Sequence, residues 1–270
     1  MKEKIGIIGY GHLGSALDRG LTSAGYETFV NSGDLDKTSR TLELSGVDPS
    51  KAREISQIAD DCAVLALCIK SRDLSEVGRE LSGKLDGRHA IFTFLAQTTL
   101  QEVVSILGDK ALITKVMTTL GVAERKGVSS FQLTESIDQS ETEMVVRLIS
   151  NISASGCVFK LNSEEEMQLF TVAVGCFPGV LAHFLNQLKL SIKRRNGESL
   201  GDYEKVLPTL LSSVSKLLIE AGSTQTLQDK IATKGGVTQA MIDTLDQSGL
   251  NDAIDRSVEA GLELMKLSSK

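Results

Sequence analysis

The stretch Lys4–Leu17, KIGIIGYGHLGSAL, decides the fold. A short apolar run leads into Gly9, Gly11 and Gly14, in G-x-G-x-x-G spacing, and a helical pattern begins directly after them. In a strand–turn–helix unit the first glycine allows the tight turn, the second lets a pyrophosphate approach the backbone, and the third lets the helix pack on the strand. A purely structural turn is the alternative. The strand before the glycines and the helix after them favour a dinucleotide site.

Short apolar runs alternate with helical patterns through the first half of the chain, which is typical of βαβ units around a parallel sheet. We expect strands at Lys4–Ile8, Glu27–Asn31, Cys62–Ile69, His89–Phe94, Ala111–Met117 and Cys157–Leu161. We expect helices at Leu13–Ala24, Lys37–Ser45, Leu74–Leu85, Leu100–Leu107 and Glu141–Ser153. The sequence therefore predicts a Rossmann-type, doubly wound parallel sheet in residues 1–162.

From Ser163 onward the pattern is helical almost to the end of the chain. Ser163 and Glu166 have the S-x-x-E spacing of a capping box, which predicts the start of one long helix. Pro178 should kink that helix, and Gly175 and Gly179 allow a neighbour to approach closely. Residues 163–270 are therefore expected to form an all-helical domain, with further helices at about 203–221, 224–231, 235–247 and 250–267.

Composition excludes several classes of function. The net charge of −6 and the sequence pI near 5.3 give no support for nucleic-acid binding. The four cysteines lack CxxC spacing and are expected to be buried, reduced thiols, and the three histidines form no metal-binding pair. We expect no metal. The apolar piece at the N-terminus is too short for a signal peptide, which predicts a cytoplasmic protein.

One stretch raises the alternative of a membrane-spanning helix. Leu169–Leu188 carries no formally charged residue and is about long enough to span a bilayer. It contains Pro178, His183 and polar amides, and the chain has no second stretch of this kind. We therefore interpret it as a helix at a domain or subunit interface, and expect a homodimer rather than a membrane protein.

The end of the second predicted strand bears on cofactor choice. A carboxylate at this position would favour NAD, because it accepts hydrogen bonds from the ribose hydroxyls and repels a 2′-phosphate. The chain has Asn31-Ser32 instead, followed by Lys37 and Arg40, which favours NADP, with NAD as the alternative. Two nearby aspartates argue in the other direction, and a simple turn at Asn31-Ser32 remains open.

Three segments together resemble a known family. IGIIGYGHLGSAL at Ile5–Leu17, LALCIKSRDLSEV at Leu65–Val77, and the segment Asp229–Ala260 with its paired glycines are similar to the pyrroline-5-carboxylate reductase family in order and spacing, nearly end to end. The resemblance implies NAD(P)H-dependent reduction of a small cyclic imino acid, in an intertwined dimer that some members assemble into larger rings. The cofactor contacts that it implies are Gly9, Tyr10, Gly11, His12, Leu13, Gly14, Asn31, Ser32, Cys68, Ile69 and Lys70.

The substrate motifs of that family are altered here. Met117–Gly121 lacks both prolines and the asparagine usual in the family, Val174–Val180 lacks both serines, and Thr233–Thr238 keeps one of two threonines. By resemblance, the substrate contacts are Gly175, Cys176, Lys234, Gly235, Gly236, Val237 and Thr238. Thr238, Thr118 and Thr119 are the candidates for orienting the imine or relaying a proton, and the sequence names no acid.

Three hypotheses follow for function. The first is reduction of pyrroline-5-carboxylate to proline. The second keeps the cofactor and the reaction but changes the substrate to another imine or small molecule. The third is a catalytically inactive dinucleotide-binding dimer that has lost its substrate hydroxyls.

Overall fold

The computed structural model describes residues 3–134, 138–196 and 203–267. Their contacts divide the chain into two compact units. The first comprises residues 1–178 together with 261–270, and the second comprises residues 179–260. The domain boundary between residues 162 and 163 remains a prediction, and the two units are described separately below.

The first unit is built on a seven-stranded sheet. Its strands are β1 (Lys4–Ile8), β2 (Glu27–Asn31), β3 (Val64–Leu67), β4 (Ala90–Thr93), β5 (Leu112–Thr118), β6 (Gly127–Leu133) and β7 (Ser153–Lys160). They lie in the order β2-β1-β3-β4-β5-β6-β7, and every neighbouring pair is parallel except β5 with β6. The predicted Rossmann-type fold class is confirmed, although the sheet is mixed rather than wholly parallel.

Helices cover both faces of this sheet, which is why its central strands are buried on both sides. They are α1 (His12–Ser23), α2 (Leu35–Leu44), α3 (Ile55–Asp61), α4 (Leu74–Leu81), α5 (Leu100–Leu107) and α6 (Gln139–Ser150). One core lies against α1 and α6, and the other lies against α3, α4 and α5. Because residues alternate along a strand, Ile7 of β1 belongs to the first core and Ile8 to the second.

The predicted long helix from Ser163 is interrupted. It comprises α7 (Glu164–Phe170), a π-helical turn at Thr171–Gly175 and α8 (Phe177–Asn196). The Ser163 side chain caps α7 by accepting from the Glu166 N–H, as expected. Pro178 is not the site of the break, because it lies in the first turn of α8, where a missing N–H has no cost. The interruption is the π turn, closed by the Cys176 N–H donating to the Thr171 carbonyl at 2.9 Å.

The second unit contains the remainder of α8, α9 (Tyr203–Ala221), α10 (Thr224–Ile231), α11 (Val237–Gln247) and the beginning of α12 (Leu250–Leu267). Within the described residues of α9, α10 and α11 no side chain is buried. The apolar face of α9 is correspondingly open to solvent in a single chain.

The segment Glu164–Arg195, which comprises α7, the π turn and most of α8, is long and apolar enough to cross a membrane by length and composition alone. In the single chain only 11% of its most apolar window is buried. The interpretation of this stretch as an interface helix therefore requires a covering surface from elsewhere.

The four cysteines are free thiols in different environments. Cys62 is buried, Cys68 and Cys157 are half-buried, and Cys176 is exposed. The expectation that all four are buried is therefore correct for Cys62 only; it is furthest from the structure for Cys176, which follows the π turn on the surface of the first unit.

Candidate functional site

The three glycines of the opening motif have different reasons for being glycine. Gly9 has a φ of +98°, and a Cβ there would lie 2.6 Å from the Cys68 carbonyl oxygen. A Cβ on Gly14 would lie 2.0 Å from the Gly9 carbonyl oxygen, so α1 packs directly on the turn. Gly11 has an ordinary φ of −85°, and a Cβ there would meet nothing within 4 Å. Packing accounts for two of the glycines, and the third leaves open space at the start of a helix.

That space belongs to a cleft of about 760 Å³, here called the cofactor cleft. Eight of the predicted cofactor residues line it: Gly9, Tyr10, Gly11, Asn31, Ser32, Cys68, Ile69 and Lys70. The other three, His12, Leu13 and Gly14, form the first turn of α1 behind Gly11. Gly11 caps this helix without a side chain, so the N-terminal amides and the positive end of the helix dipole are available to an anion.

Charge is unevenly distributed around the cofactor cleft. Lys37 lies beside the β2 turn, where a Cβ on Gly33 would come within 3.4 Å of its Nζ. Five carboxylates line the cleft: Asp34 caps α2 at the β2 turn, Glu54 lies at the start of α3, and Asp73, Glu76 and Glu80 lie at the start of α4 and within it. Partial burial and the charges of the other two glutamates raise the pKa of Glu80. Phosphate groups are therefore favoured at the glycine turn and disfavoured along the glutamates, whereas at the β2 turn the charge of Lys37 is opposed by that of Asp34.

Asn31 and Ser32 differ in how free they are to bind a ligand. Asn31 is buried; its Nδ2 donates to the Arg53 carbonyl at 2.8 Å and its Oδ1 accepts from the Gly33 N–H at 3.1 Å. These bonds fit the turn interpretation of Asn31. The Ser32 N–H donates to Thr38 Oγ1 at 2.8 Å, while Ser32 itself is half-buried on the cleft wall. Of the two, Ser32 has the side chain better placed for a ribose phosphate.

A buried polar network behind the glycine turn was missed by sequence reasoning. The Tyr10 hydroxyl donates to Asp18 at 2.7 Å, and Asp18 also accepts from Thr28 at 2.5 Å and from Lys51 at 2.9 Å. Burial alone would raise the pKa of Asp18, but the hydrogen bonds from Thr28, Lys51 and Tyr10 lower it below its ordinary value. The available signal was an aspartate four residues after Gly14, on the face of α1 that packs against the sheet.

A second cleft adjoins the cofactor cleft within the first unit and shares Ile69, Lys70 and Arg72 with it. The segment Phe94–Gln97 after β4 forms one wall of the second cleft, and Thr171, Val172 and Cys176 of the π turn region form another. The predicted substrate residue Cys176 is thus close to the predicted cofactor residues Ile69 and Lys70. Gly175 does not line the second cleft.

The proposed proton-handling residues Thr118 and Thr119 face β6. Thr118 Oγ1 shares a 2.7 Å hydrogen bond with Ser129 Oγ, which shares another with Ser153 Oγ. Thr119 Oγ1 accepts from the Val128 N–H at 3.2 Å. Neither threonine lines the cofactor cleft or the second cleft. Their catalytic role stays a prediction.

The remaining predicted substrate residues, Lys234–Thr238, lie together in the second unit. Gly235 has a φ of +75°, and the Gly236 N–H donates to the Thr233 carbonyl at 2.8 Å. Gly236 then caps α11 without a side chain, which places Thr238 in the first turn of that helix. Lys234 and Val237 are exposed, and Thr238 is half-buried. This is a second helix start with an open N-terminus and a hydroxyl beside it, suited to a carboxylate.

Within residues 3–134, 138–196 and 203–267, no group of three or more histidine, cysteine, aspartate or glutamate side chains is arranged to hold a metal ion.

Family models match both parts of the chain. Residues 164–266 match the model described as pyrroline-5-carboxylate reductase dimerisation. Residues 4–93 match the model described as NADP oxidoreductase, coenzyme F420-dependent.

Individual proteins give the same result along the full length. The pyrroline-5-carboxylate reductase of Methanobrevibacter smithii is 28% identical over 251 residues, which cover 90% of this chain and 97% of that protein. The crystal structure of the Streptococcus pyogenes 1-pyrroline-5-carboxylate reductase superposes with a TM-score of 0.82 at 22% identity, covering 97% and 98% of the two chains. The Plasmodium falciparum pyrroline carboxylate reductase, solved with NADP bound, has a TM-score of 0.82 at 18% identity, covering 99% and 98%. At these identities the two structures show a shared fold.

Proposed function

The chain belongs to the pyrroline-5-carboxylate reductase family, and from that premise we propose that it reduces the carbon–nitrogen double bond of a small cyclic imino acid with NADPH. The substrate we propose is pyrroline-5-carboxylate and the product is proline. The observation that carries the proposal is the open space at Gly11, at the uncapped start of α1. Packing does not require a glycine there, whereas the close approach of a pyrophosphate does.

The residues present fit a dinucleotide. We propose that the glycine turn and the first amides of α1 hold the pyrophosphate, and that Ser32 and Lys37 hold the 2′-phosphate of NADPH. Ile69 and Lys70 extend the site toward the second cleft. The named NADP complex of the Plasmodium relative supports this choice over NAD. NADPH, when bound, supplies the hydride that the imine carbon receives.

The protein's own contribution is orientation and electrostatics. We propose that the start of α11 binds the substrate carboxylate, with its amides and with the Thr238 hydroxyl as donors. The imine nitrogen is basic enough to carry a proton near neutral pH, so the carbon accepts the hydride without a strong general acid. Thr238, Thr118 and Thr119 remain the proposed orienting or relaying hydroxyls. Cys68, on the cofactor cleft, is no thiolate nucleophile, because burial raises the pKa of its thiol.

We propose that the active form is a homodimer. The exposed apolar side chains of α9, among them Val206, Leu210, Val214 and Leu217, follow one face of the helix. The dimerisation model matched over residues 164–266 supports a second copy of this chain as the covering surface. A soluble, cytoplasmic enzyme is proposed in keeping with the four free thiols, which suit a reducing compartment.

A changed substrate is the second candidate. It is favoured by the hydrogen bonds that Thr118 and Thr119 make to β6. In the pyrroline-5-carboxylate reductase family, which this chain resembles, the same region carries prolines and an asparagine instead. Purified protein incubated with NADPH or NADH and a panel of cyclic imines separates the candidates. We expect NADPH to be oxidised faster with pyrroline-5-carboxylate than with the other imines of the panel. Turnover of another imine alone would favour the changed substrate, and NADPH binding without any turnover would favour the inactive dimer.

A further inference from the structure

The first unit contains a fully buried lysine in the middle of a central strand. Lys115 lies in β5 with a relative exposure of 0%. Its Nζ donates to the Thr98 carbonyl at 2.7 Å and to Glu164 Oε1. A buried charge is costly unless it is paired and hydrogen-bonded. Burial lowers the pKa of Lys115, and Glu164 opposes that shift.

Each partner of Lys115 adjoins, along the chain, a different wall of the second cleft. Thr98 ends the segment after β4 whose residues Phe94–Gln97 form one wall. Glu164 is the first residue of α7, which runs directly into the π turn carrying Thr171, Val172 and Cys176 on the other wall. One ammonium group therefore joins the backbone of one wall to the helix that positions the other.

Neighbouring contacts hold the same two walls. Thr98 Oγ1 donates to Ser71 Oγ at 2.8 Å, and Ser71 itself lines the second cleft. On the other wall, Met167 of α7 is fully buried and its sulfur accepts from the Ser130 hydroxyl at 3.4 Å. The first contact ties the segment after β4 to the turn after β3, and the second ties α7 to β6, but Lys115 alone among these residues bonds to both Thr98 and Glu164.

The geometry points to Lys115 as a positioning residue that sets the width of the second cleft, and thereby the fit of the imino acid beside Ile69 and Lys70. This inference rests on the proposed function for the identity of the substrate. Lys115 is too deeply buried to touch the ligand. Its effect is on the spacing of the segment after β4 and the π turn.

The test compares Lys115→Met with Lys115→Arg, which keeps the charge and the donors, and with Glu164→Gln, which removes one charge from a partly exposed position. Lys160→Met is the control, because Lys160 is an exposed lysine of β7 in the same sheet. Amide hydrogen exchange over residues 94–98 and 164–176 reports on the walls without using activity. Steady-state kinetics give separate KM values for NADPH and for pyrroline-5-carboxylate.

We expect Lys115→Met to exchange faster in both segments and to raise the KM for the imino acid on the order of ten-fold, with an NADPH KM within about two-fold of the parent. Lys115→Arg should recover most of the loss, Glu164→Gln should show a smaller effect of the same sign, and Lys160→Met none. Unchanged exchange and KM in Lys115→Met would overturn the inference. An equal rise in both KM values with faster exchange across the whole sheet would reduce Lys115 to a structural role.

Failure of the proposed function would appear differently. If the parent protein reduces no imine, the proposed reaction is wrong, whereas hydrogen exchange and NADPH binding in the same variants still decide whether Lys115 joins the two walls. Faster exchange confined to residues 94–98 and 164–176 would support the positioning role for whatever ligand the second cleft takes. Exchange equal to that of Lys160→Met would overturn it.

Discussion

Gly11 is the residue on which cofactor binding depends most clearly. Its φ of −85° suits any amino acid and a Cβ there would meet nothing within 4 Å, so a larger residue should fold normally. We predict that Gly11→Asp abolishes NADPH binding, because the carboxylate enters the phosphate space and repels the cofactor. Isothermal titration measures the loss.

Two variants make this result interpretable. Gly11→Ala introduces only a methyl group and should weaken binding less than Gly11→Asp while leaving the melting temperature unchanged. Gly14→Ala should destabilise the fold itself, because its Cβ would lie 2.0 Å from the Gly9 carbonyl oxygen. If Gly11→Asp binds NADPH as well as the parent protein does, the glycine turn is structural only.

Thr238 tests the inherited substrate site. It lies in the first turn of α11 after the cap at Gly236. Losing one hydrogen bond to a charged ligand costs about 1.5 to 3 kcal/mol, which corresponds to roughly a ten- to hundred-fold fall in kcat/KM. We predict this fall for Thr238→Val with the imino acid, together with an unchanged NADPH affinity. Unaltered kinetics would show that the hydroxyl does not serve the substrate.

Among the elements, α1 is anchored to the glycine turn and to β2 through Asp18. Because its folded-state pKa is lowered, the Asp18 carboxylate contributes stability that is present above its unfolded-state pKa and is lost as pH falls through the folded-state value. We predict that Asp18→Asn lowers the free energy of unfolding by about 3 kcal/mol at neutral pH. The difference from the parent should shrink as the pH falls below about 4.

Urea unfolding across this pH range measures the effect. Asp60→Asn is the matched control, because the Asp60–Lys84 pair is exposed on both sides and contributes about 1 kcal/mol or less. A loss in Asp18→Asn that is no larger than in Asp60→Asn would remove the anchoring role from the network.

The elements also show what sequence reasoning can reach. The strands β1 and β2 and the helix α5 have the predicted bounds, because clean apolar runs or a capping residue mark their ends. The strand β6 was missed, since GVSSFQL buries Ser129 and Ser130 and so does not read as an apolar run. The helix α3 was missed because it is too short to show a helical pattern of apolar residues. The π turn was missed because Pro178 was the only visible helix breaker, whereas the break follows from backbone bonding at Thr171.

The sequence likewise predicted only part of the candidate site. Glycine spacing indicated the cofactor cleft, because backbone conformation there depends on local sequence. The partners of Lys115 and Asp18 were not predictable, since Glu164 and Lys51 are remote in the chain from the residues that they bond. Long-range polar pairs have no periodicity and appear only once the fold brings them together.

For the molecule as a whole, the apolar face of α9 predicts an obligate assembly. We predict a dimer in sedimentation of the parent protein, and dissociation in Val214→Glu, because Val214 lies on the exposed apolar face with Leu210 and Leu217. Lys216→Glu introduces a glutamate on the opposite side of α9 and should leave the dimer intact. A well-folded monomer of the parent at low micromolar concentration would contradict the proposal.

The central claim, that the protein transfers a hydride to a cyclic imine, is tested most directly by isotope transfer. The protein is incubated with pyrroline-5-carboxylate and NADPH deuterated at the transferable position of the nicotinamide, with Gly11→Asp as the control. The account predicts proline carrying deuterium on the former imine carbon, formed by the parent and not by Gly11→Asp. The account would be contradicted if the parent formed no proline. It would also be contradicted if the proline carried no deuterium with both stereoisomers of the labelled cofactor.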